Sequence, residues 1–262
     1  MFAYGEFDVQ SFRRLDLLTL KVLKIFRHSK MTEYIERDYR KRVMAGDLVS
    51  FHVSVKETDL WVSADQNLEN ETRDLVLNYR HQLDSYINSH PDFLTTLQSY
   101  PDDPYAPPIV SEMIKVAMDI GVGPMAAVAG AIAQFVAKGL LQITDQVIVE
   151  NGGDIFLSVN RQVTASIFAG KSPLSEKIGL MIPIKQMPLG ICSSSGTVGH
   201  SLSMGVANVV CIISSSAVLA DGAATALGNK IKSKKDLKTL INKRIAIANL
   251  GPSIGYKLRV IK

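Results

Sequence analysis

Asp221 and Thr225 stand four positions apart in the segment SAVLADGAATALG, residues 216–228. On an α-helix this spacing places both side chains on one face, one turn from each other. A carboxylate and a hydroxyl are hard oxygen ligands, suited to hold Mg²⁺ together with a phosphate. The structural alternative is an Asp in the first helical turn that interacts with the helix dipole, and a Thr that bonds within its own turn. By spacing alone, the structural alternative is favoured.

A second candidate site is the segment CSSSGTVGHSLSMG, residues 192–205, which is a poor helix and a poor strand. A loop so rich in Gly and Ser can bring backbone N–H groups close to an anion. The candidate ligand-binding residues are Ser194, Ser195, Gly196 and Thr197.

The same loop carries two candidate catalytic side chains. His200 could act as general acid or base in phosphate chemistry. Cys192 and His200 could instead form a thiolate–imidazole couple. A Ser-His-Asp hydrolase using Asp221 is disfavoured because no GxSxG motif is present. A Ser/Gly turn with one capping histidine is the structural alternative, and the residues leave these interpretations open.

The motif NGGD, residues 151–154, lies between two alternating apolar runs. Asn-Gly in this setting is a strong signal for a β-hairpin. The second glycine is not needed for such a turn, which hints at a backbone contact. Gly152, Gly153 and Asp154 are therefore kept as candidate cofactor-binding residues.

The apolar spacing along the chain predicts the elements that would position these residues. Strands or hairpins are predicted at 47–64, 145–150, 155–159, 164–170, 177–182, 188–193, 206–214, 244–250 and 256–261. Helices are predicted at 67–91, 111–120 with Ser111 as its cap, 122–141 closing at Gly139, 216–228 ending at Gly228, and 236–243. Hairpins and helices without regular β–α alternation indicate an α+β fold with mixed or antiparallel sheets packed against helices.

The composition narrows the class of protein. The chain has 262 residues, of which 47% are hydrophobic and 21% charged, with a formal net charge of +4. The basic residues are scattered, so nucleic acid is not an expected partner. Two cysteines, Cys192 and Cys211, are too few for a disulfide scaffold, which favours a reducing, cytoplasmic location.

Two apolar stretches were weighed as membrane segments. Residues 16–26 are short and interrupted by lysines, with no cleavage site or lipid-attachment cysteine. Residues 122–141 are long enough, but their Ala, Gly and Val content favours a tightly packed buried helix. We therefore expect no membrane partner. Residues 1–30 are interpreted as a peripheral leader, with Met31 a possible natural start, and residues 31–262 as one domain.

Four motifs, in this order, resemble the ApbE superfamily of FAD:protein FMN transferases. They are VAGAIAQFVA (128–137), VIVENGGDIFLSV (147–159), SSSG (193–196) and ADGAATAL (220–227). The likeness is closer still to a cytoplasmic branch of that superfamily, without an assigned activity, from archaea and anaerobic bacteria. That branch shares VGPMAAVAGAIA, ENGGDIF, AGKSPLS and SSGTVGHS, and the resemblance runs from about Tyr34 to about Asn229.

The resemblance implies an ApbE-like fold and a ligand. Asp221 and Thr225 would bind Mg²⁺ beside the pyrophosphate of FAD or a related flavin nucleotide. Gly152 and Gly153 would approach the nucleotide, and His200 would lie near the phosphates. The implied reaction moves FMN from FAD to a Thr or Ser of an acceptor protein.

The sequence also departs from the transferase pattern. The H-x-I-D-P-R-T-G motif is absent after His200, and the lysine of the helix motif is Gln134 here. Three hypotheses follow. The chain binds a flavin nucleotide with Mg²⁺ and transfers or hydrolyses it; or it handles sulfur through Cys192, in sulfide assimilation or homocysteine formation; or it keeps the fold without catalysis. Its small-residue helices would also suit a homodimer.

Overall fold

The computed structural model describes residues 46–167, 178–194 and 209–233, and the backbone of two further strands, 245–250 and 257–260. The predicted helix 236–243 and most of the loop 192–205, including Ser195, Gly196, Thr197 and His200, lie outside the described residues.

A seven-stranded mixed sheet organises the chain. Its strands are β1 Val49–Val55, β2 Thr58–Ala64, β3 Val147–Asn151, β4 Asp154–Ser158, β7 Leu189–Ser194, β8 Val209–Ser214 and β9 Ile245–Leu250. They lie in the order β1-β2-β3-β4-β7-β8-β9, and all neighbouring strands are antiparallel except β8 and β9, which are parallel. A second, antiparallel sheet has the order β10-β6-β5, made of β5 Val163–Ser166, β6 Ile178–Ile182 and β10 Lys257–Val260.

The large sheet is covered on both faces. Side chains such as Val149 and Phe156 pack towards the helices, whereas Ile148, Leu157 and Ile213 pack in a second core with β5 and β6. A strand that is covered on both faces has a continuous run of apolar residues, instead of alternating apolar and polar residues. This explains the run VVCIIS of β8, in which every residue is buried.

Five helices are described, with two short 3₁₀ turns at Pro124–Ala127 and Ile184–Gln186. They are α1 Glu69–Ser89, α2 Asp92–Thr95, α3 Pro108–Ile120, α4 Val128–Leu140 and α5 Ala217–Lys230. α5 is buried almost all round because it packs on β7, β8, α3 and α4 together. Its small residues allow this close packing: a Cβ on Gly222 would meet the Val116 side chain at 3.0 Å.

The structure confirms an α+β fold with mixed and antiparallel sheets, and it shifts several predicted boundaries. α3 begins at Pro108, not after Ser111, because proline at the first helical position needs no N–H partner. Gly121 ends α3 in the left-handed conformation, with φ of 76°, as predicted. The predicted stops at Gly139 and Gly228 are wrong, since α4 runs to Leu140 and α5 to Lys230.

Within the described residues, no single helix is long and apolar enough to cross a membrane. The stretch formed by α3 and the helical segment Pro124–Leu140 passes that test only as a pair, bent by 106°. Most residues of α4 are buried inside the protein.

Gly130 of α4 marks the tightest crossing with α5. A Cβ at this position would lie 2.3 Å from the Ala217 carbonyl oxygen and 2.8 Å from Cβ of Asp221. We expect Gly130→Ala to lower the free energy of unfolding by about 1–3 kcal/mol, because the helices must separate. Urea unfolding measures the change.

Gly139→Ala, in the same helix, is the matched control. Its Cβ would meet only the movable Leu75 side chain, at 2.7 Å, and alanine gains about 1 kcal/mol of helix propensity. Equal losses of stability in the two variants would contradict the close crossing.

Candidate functional site

The candidate site lies at the end of the large sheet where β3 turns into β4. Asn151 pairs with Asp154, which leaves Gly152 and Gly153 as a two-residue loop with φ of 66° and 107°. A hairpin loop with positive φ at both positions demands residues such as glycine. The expectation that the second glycine is not needed for the turn is therefore wrong. Apart from its chain neighbours, no atom of the described residues lies within 4 Å of the place where a Cβ of Gly153 would stand, so the described structure leaves this side of the turn open.

Asp154 is the first residue of β4 and is buried, with 7% of its surface exposed. Its Oδ1 accepts a hydrogen bond from the Ser193 backbone N–H at 3.0 Å. Continuing the β4–β7 register from the pair Ile155–Ile191 places Asp154 opposite Cys192. Strand alternation puts it on the same face as Phe156, which packs towards the helices.

Asp221 reaches the same place from α5. The helix begins at Ala217 and is capped by the Ser216 side chain, so Asp221 lies in the second turn and not in the first. Its Oδ2 instead accepts the Gly130 backbone N–H at 2.8 Å, near the beginning of α4. The structural interpretation of a first-turn Asp is therefore wrong: this carboxylate caps a neighbouring helix.

Asn151 joins the turn to the same helix end. Its Nδ2 donates to the Ala129 carbonyl oxygen at 3.0 Å. The hairpin turn, the beginning of α4 and the second turn of α5 are thus tied together around Asp154 and Asp221.

Burial dominates the electrostatics of both carboxyl groups, and the charge of Asp221 also acts on Asp154. Burial raises the pKa of Asp221 to about 7, although the backbone N–H groups of Gly130 and Ala129 act in the opposite direction. Burial, and then the negative charge of Asp221, raises the pKa of Asp154 well above its ordinary value. The titration of Asp154 is therefore linked to the charge state of Asp221.

Glu150, which the sequence reasoning missed, adds to this negative charge. It is 3% exposed, and its Oε1 accepts the Gly153 backbone N–H at 2.6 Å. It therefore braces the open turn, and its charge contributes to the raised pKa of Asp154. The only signal in the sequence was its place beside the NGGD motif.

Cys192 is fully buried, and its thiol donates to the Ala217 carbonyl oxygen at 3.3 Å. Burial, with the charges of Asp154 and Asp221, raises the pKa of this thiol well above its usual range. Such a cysteine stays a neutral thiol, whereas a nucleophilic cysteine needs a lowered pKa and access.

The other predicted site residues are placed as follows. Thr225 is half-buried, one turn after Asp221 on α5. Ser194 ends β7 on the same strand face as Cys192, and among the described residues its buried Oγ finds no hydrogen-bond partner. Ser195, Gly196, Thr197 and His200 lie outside the described residues, so their roles stay predictions.

The described acidic groups do not form a metal site by themselves. In the part of the chain that the structure describes, no group of three or more His, Cys, Asp or Glu side chains is placed to hold a metal ion. A cation bound at Asp154 and Asp221 would need hydroxyl, water or ligand oxygens as well, which is the usual situation for Mg²⁺ at a phosphate.

The chain matches known proteins in sequence. A family model described as "AbpE bacteria" matches residues 40–248. A UPF0280 protein of Methanococcus aeolicus is 38% identical over 181 residues, covering 68% of this chain and 73% of that protein. A UPF0280 protein of Methanosarcina acetivorans is 38% identical over 182 residues, covering 69% and 72%.

Among solved structures, similar chains are flavin transferases at low identity. The apo form of the flavinyl transferase ApbE from Pseudomonas stutzeri is 12% identical, with a TM-score of 0.47, covering 73% of this chain and 87% of that chain. The flavin transferase ApbE from Vibrio cholerae is 12% identical, with a TM-score of 0.40, covering 75% and 91%. These scores are too low to transfer any residue role.

The carboxylate pair predicts an unusual pH dependence of stability in metal-free buffer. The folded protein keeps the Asp221 proton up to about pH 7, whereas the carboxyl's ordinary pKa is 3.8. The unfolded state therefore holds fewer protons between these values, and stability falls as the pH rises through this window. The loss is on the order of 4 kcal/mol when complete.

Asp221→Asn keeps a hydrogen-bond acceptor for Gly130 but removes the charge. We expect its stability relative to the wild type to increase from pH 5 to pH 8, as measured by urea unfolding with a chelator present. Asp119→Asn, at an exposed position of α3, should stay parallel to the wild type. A constant difference for Asp221→Asn would show that the carboxyl titrates normally.

Proposed function

Since the chain belongs to the family described as AbpE bacteria, we propose that it binds the pyrophosphate of a flavin or related nucleotide together with Mg²⁺. Its reaction, on this proposal, is a phosphoryl transfer at the pyrophosphate of FAD: the bond between the FMN phosphorus and the bridging oxygen breaks, AMP leaves, and FMN passes to a hydroxyl of an acceptor protein or to water. The motifs that resemble the flavin transferases support the flavin part of the proposal.

One observation carries the proposal: Asp154 and Asp221 are two buried carboxylates brought together from a strand and a helix far apart in sequence. Burying two like charges side by side costs free energy unless a proton or a cation compensates them. A divalent cation between them would remove both the repulsion and the desolvation penalty.

The surroundings fit such a cation and an anionic ligand. Asp221 uses Oδ2 for Gly130, and each carboxylate oxygen has further lone pairs for a metal. Thr225, one turn away, supplies a hydroxyl of the type that Mg²⁺ accepts. Among the described residues, no atom fills the space beside the Gly153 turn, and the buried Ser194 hydroxyl has no hydrogen-bond partner; both lie at the same end of the sheet as the two carboxyls.

When bound, Mg²⁺ would neutralise charge on the pyrophosphate. The residues of the chain would bind and orient: Asp154 and Asp221 hold the cation, and the glycine turn leaves room for the nucleotide. His200 remains the proposed general acid or base, as a residue outside the described part of the chain.

The sulfur-handling alternative draws no support from the described geometry. A relay through Cys192 needs a reachable thiolate, whereas this thiol is buried, hydrogen-bonded and has a raised pKa. A non-catalytic member of the fold is the outcome expected if neither nucleotide nor cation binds.

Nucleotide binding can be tested directly with FAD. We expect Mg²⁺ to tighten FAD binding to the wild type, and Asp221→Asn or Asp154→Asn to abolish this Mg²⁺ effect, weakening FAD binding about 10- to 100-fold in Mg²⁺. Quenching of FAD fluorescence, with Mg²⁺ or with a chelator, gives the affinities.

Asp119→Asn removes one exposed carboxylate and controls for net charge. The proposal is abandoned if the wild type binds FAD equally with and without Mg²⁺, or if Asp221→Asn retains the full Mg²⁺ effect.

Cys192→Ser separates the nucleotide hypothesis from sulfur relay. A serine hydroxyl can also donate to the Ala217 carbonyl oxygen, so we expect FAD affinity in Mg²⁺ to change by less than about 3-fold, a difference below 1 kcal/mol. Mass spectrometry after incubation with polysulfide should find no persulfide on Cys192 of the native wild type. A persulfide there, lost in Cys192→Ser, would favour the sulfur hypothesis.

A further inference from the structure

A polar clip joins three helices one turn away from Asp221. It consists of Glu112 of α3, Gln134 of α4, and Ser216 with the Ala217 backbone at the start of α5. Gln134 is completely buried; its Nε2 donates to Glu112 Oε1 at 2.7 Å, and its Oε1 accepts the Ala217 N–H at 2.7 Å. Ser216 Oγ donates to the same Glu112 oxygen at 3.3 Å.

Two hydrogen bonds connect the same pair of helices, α4 and α5: the one from the Ala217 N–H to Gln134, and the one from the Gly130 N–H to Asp221. Gln134 follows Gly130 by four residues on α4, and Ala217 precedes Asp221 by four residues on α5. Four residues are about one helical turn, or about 6 Å. The Gln134–Ala217 hydrogen bond therefore limits how far α5 can slide or rotate against α4. It thereby also fixes the position of the Asp221 carboxylate.

Close packing alone does not fix this position as strictly. The contacts around Gly130 set how closely the two helices approach, whereas the directional hydrogen bonds of Gln134 set where α5 lies along α4. A buried amide with both ends bonded has one low-energy arrangement, because any shift leaves a buried polar group without its partner.

We propose that Gln134 is a positioning residue of the cation site: it holds the first turn of α5 so that Asp221 stands beside Asp154 at the beginning of α4. This inference rests on the proposed function, since it concerns the same site. Gln134 touches neither the cation nor the nucleotide on this proposal, and it acts through the backbone of α5.

Gln146 offers a chemically matched control at the other end of β3. It is also buried, its Nε2 donates to Asp65 Oδ1 at 2.8 Å, and its Oε1 accepts the Asn160 N–H at 3.1 Å. It precedes Val147, whereas the candidate site lies beyond Asn151, about 16 Å away along the strand. Gln146→Leu should thus lower stability much as Gln134→Leu does, without touching the site.

The experiment titrates Mn²⁺ into the full-length protein and measures free Mn²⁺ by electron paramagnetic resonance, with the thermal midpoint recorded for every variant. We expect Gln134→Leu to weaken Mn²⁺ binding about 10-fold or more, and Gln146→Leu to leave it within about 2-fold. Gln134→Asn, whose side chain is too short to reach both partners, serves if Gln134→Leu does not fold.

Exchanging the two side chains tests the hydrogen bonds themselves. In the double variant E112Q/Q134E, the new carboxylate can accept from Ala217 and from the amide at position 112, so the clip is restored with reversed polarity. Q134E alone places two carboxylates together and should weaken Mn²⁺ binding. We expect the double variant to recover affinity to within about 3-fold of the wild type.

The outcomes separate the two proposals. Wild-type protein that binds no Mn²⁺, or Asp221→Asn that binds it normally, overturns the proposed function. If Asp221→Asn loses Mn²⁺ binding as expected but Gln134→Leu binds Mn²⁺ with unchanged affinity, only the positioning role of Gln134 is overturned. Equal weakening in Gln134→Leu and Gln146→Leu, or no recovery in E112Q/Q134E, also overturns it, because general loss of stability would then explain the effect.

Discussion

The contact between Asp221 and the beginning of α4 is the constraint on which the site depends. The Gly130 N–H can reach the carboxylate only because Gly130 has no side chain and Ala217 passes directly against it. α5 must also lie close to the sheet, where a Cβ on Gly190 would meet Ala217 at 2.4 Å. Small residues on α4, α5 and β7 are thus required together, and the fold could not place the carboxylate with larger ones.

This crossing brings an unfavourable electrostatic arrangement into the core. The beginning of α4 offers partial positive charge to one carboxylate, Asp221. The neighbouring Asp154 receives a single backbone N–H, from Ser193, and Glu150 adds further negative charge nearby. Buried like charges are normally avoided in a protein core, and where they occur they commonly mark a functional site.

Local patterns predicted the elements well, while the site depended on tertiary contacts. The NGGD motif predicted the β3–β4 turn, and Gly121 predicted the end of α3, because glycine readily takes the positive φ that these positions require. The role of Asp221 could not be read from its helix, since its partner is a backbone N–H on α4. Gln134 was visible only as a departure from a motif; its burial and its two bonds depend on how three helices meet.

The strongest argument for a cation is what the hydrogen bonds leave unexplained. Asp221 accepts from Gly130 and Asp154 accepts from Ser193, and an asparagine oxygen could accept either N–H without any charge. The partial positive charge at the beginning of α4 accounts for a carboxylate at Asp221, but the described N–H that Asp154 accepts does not account for a second carboxyl beside it. Two buried carboxyls cost free energy through desolvation and repulsion unless a proton or a cation compensates them. A positively charged ligand is the simplest reason for two carboxylates at this place.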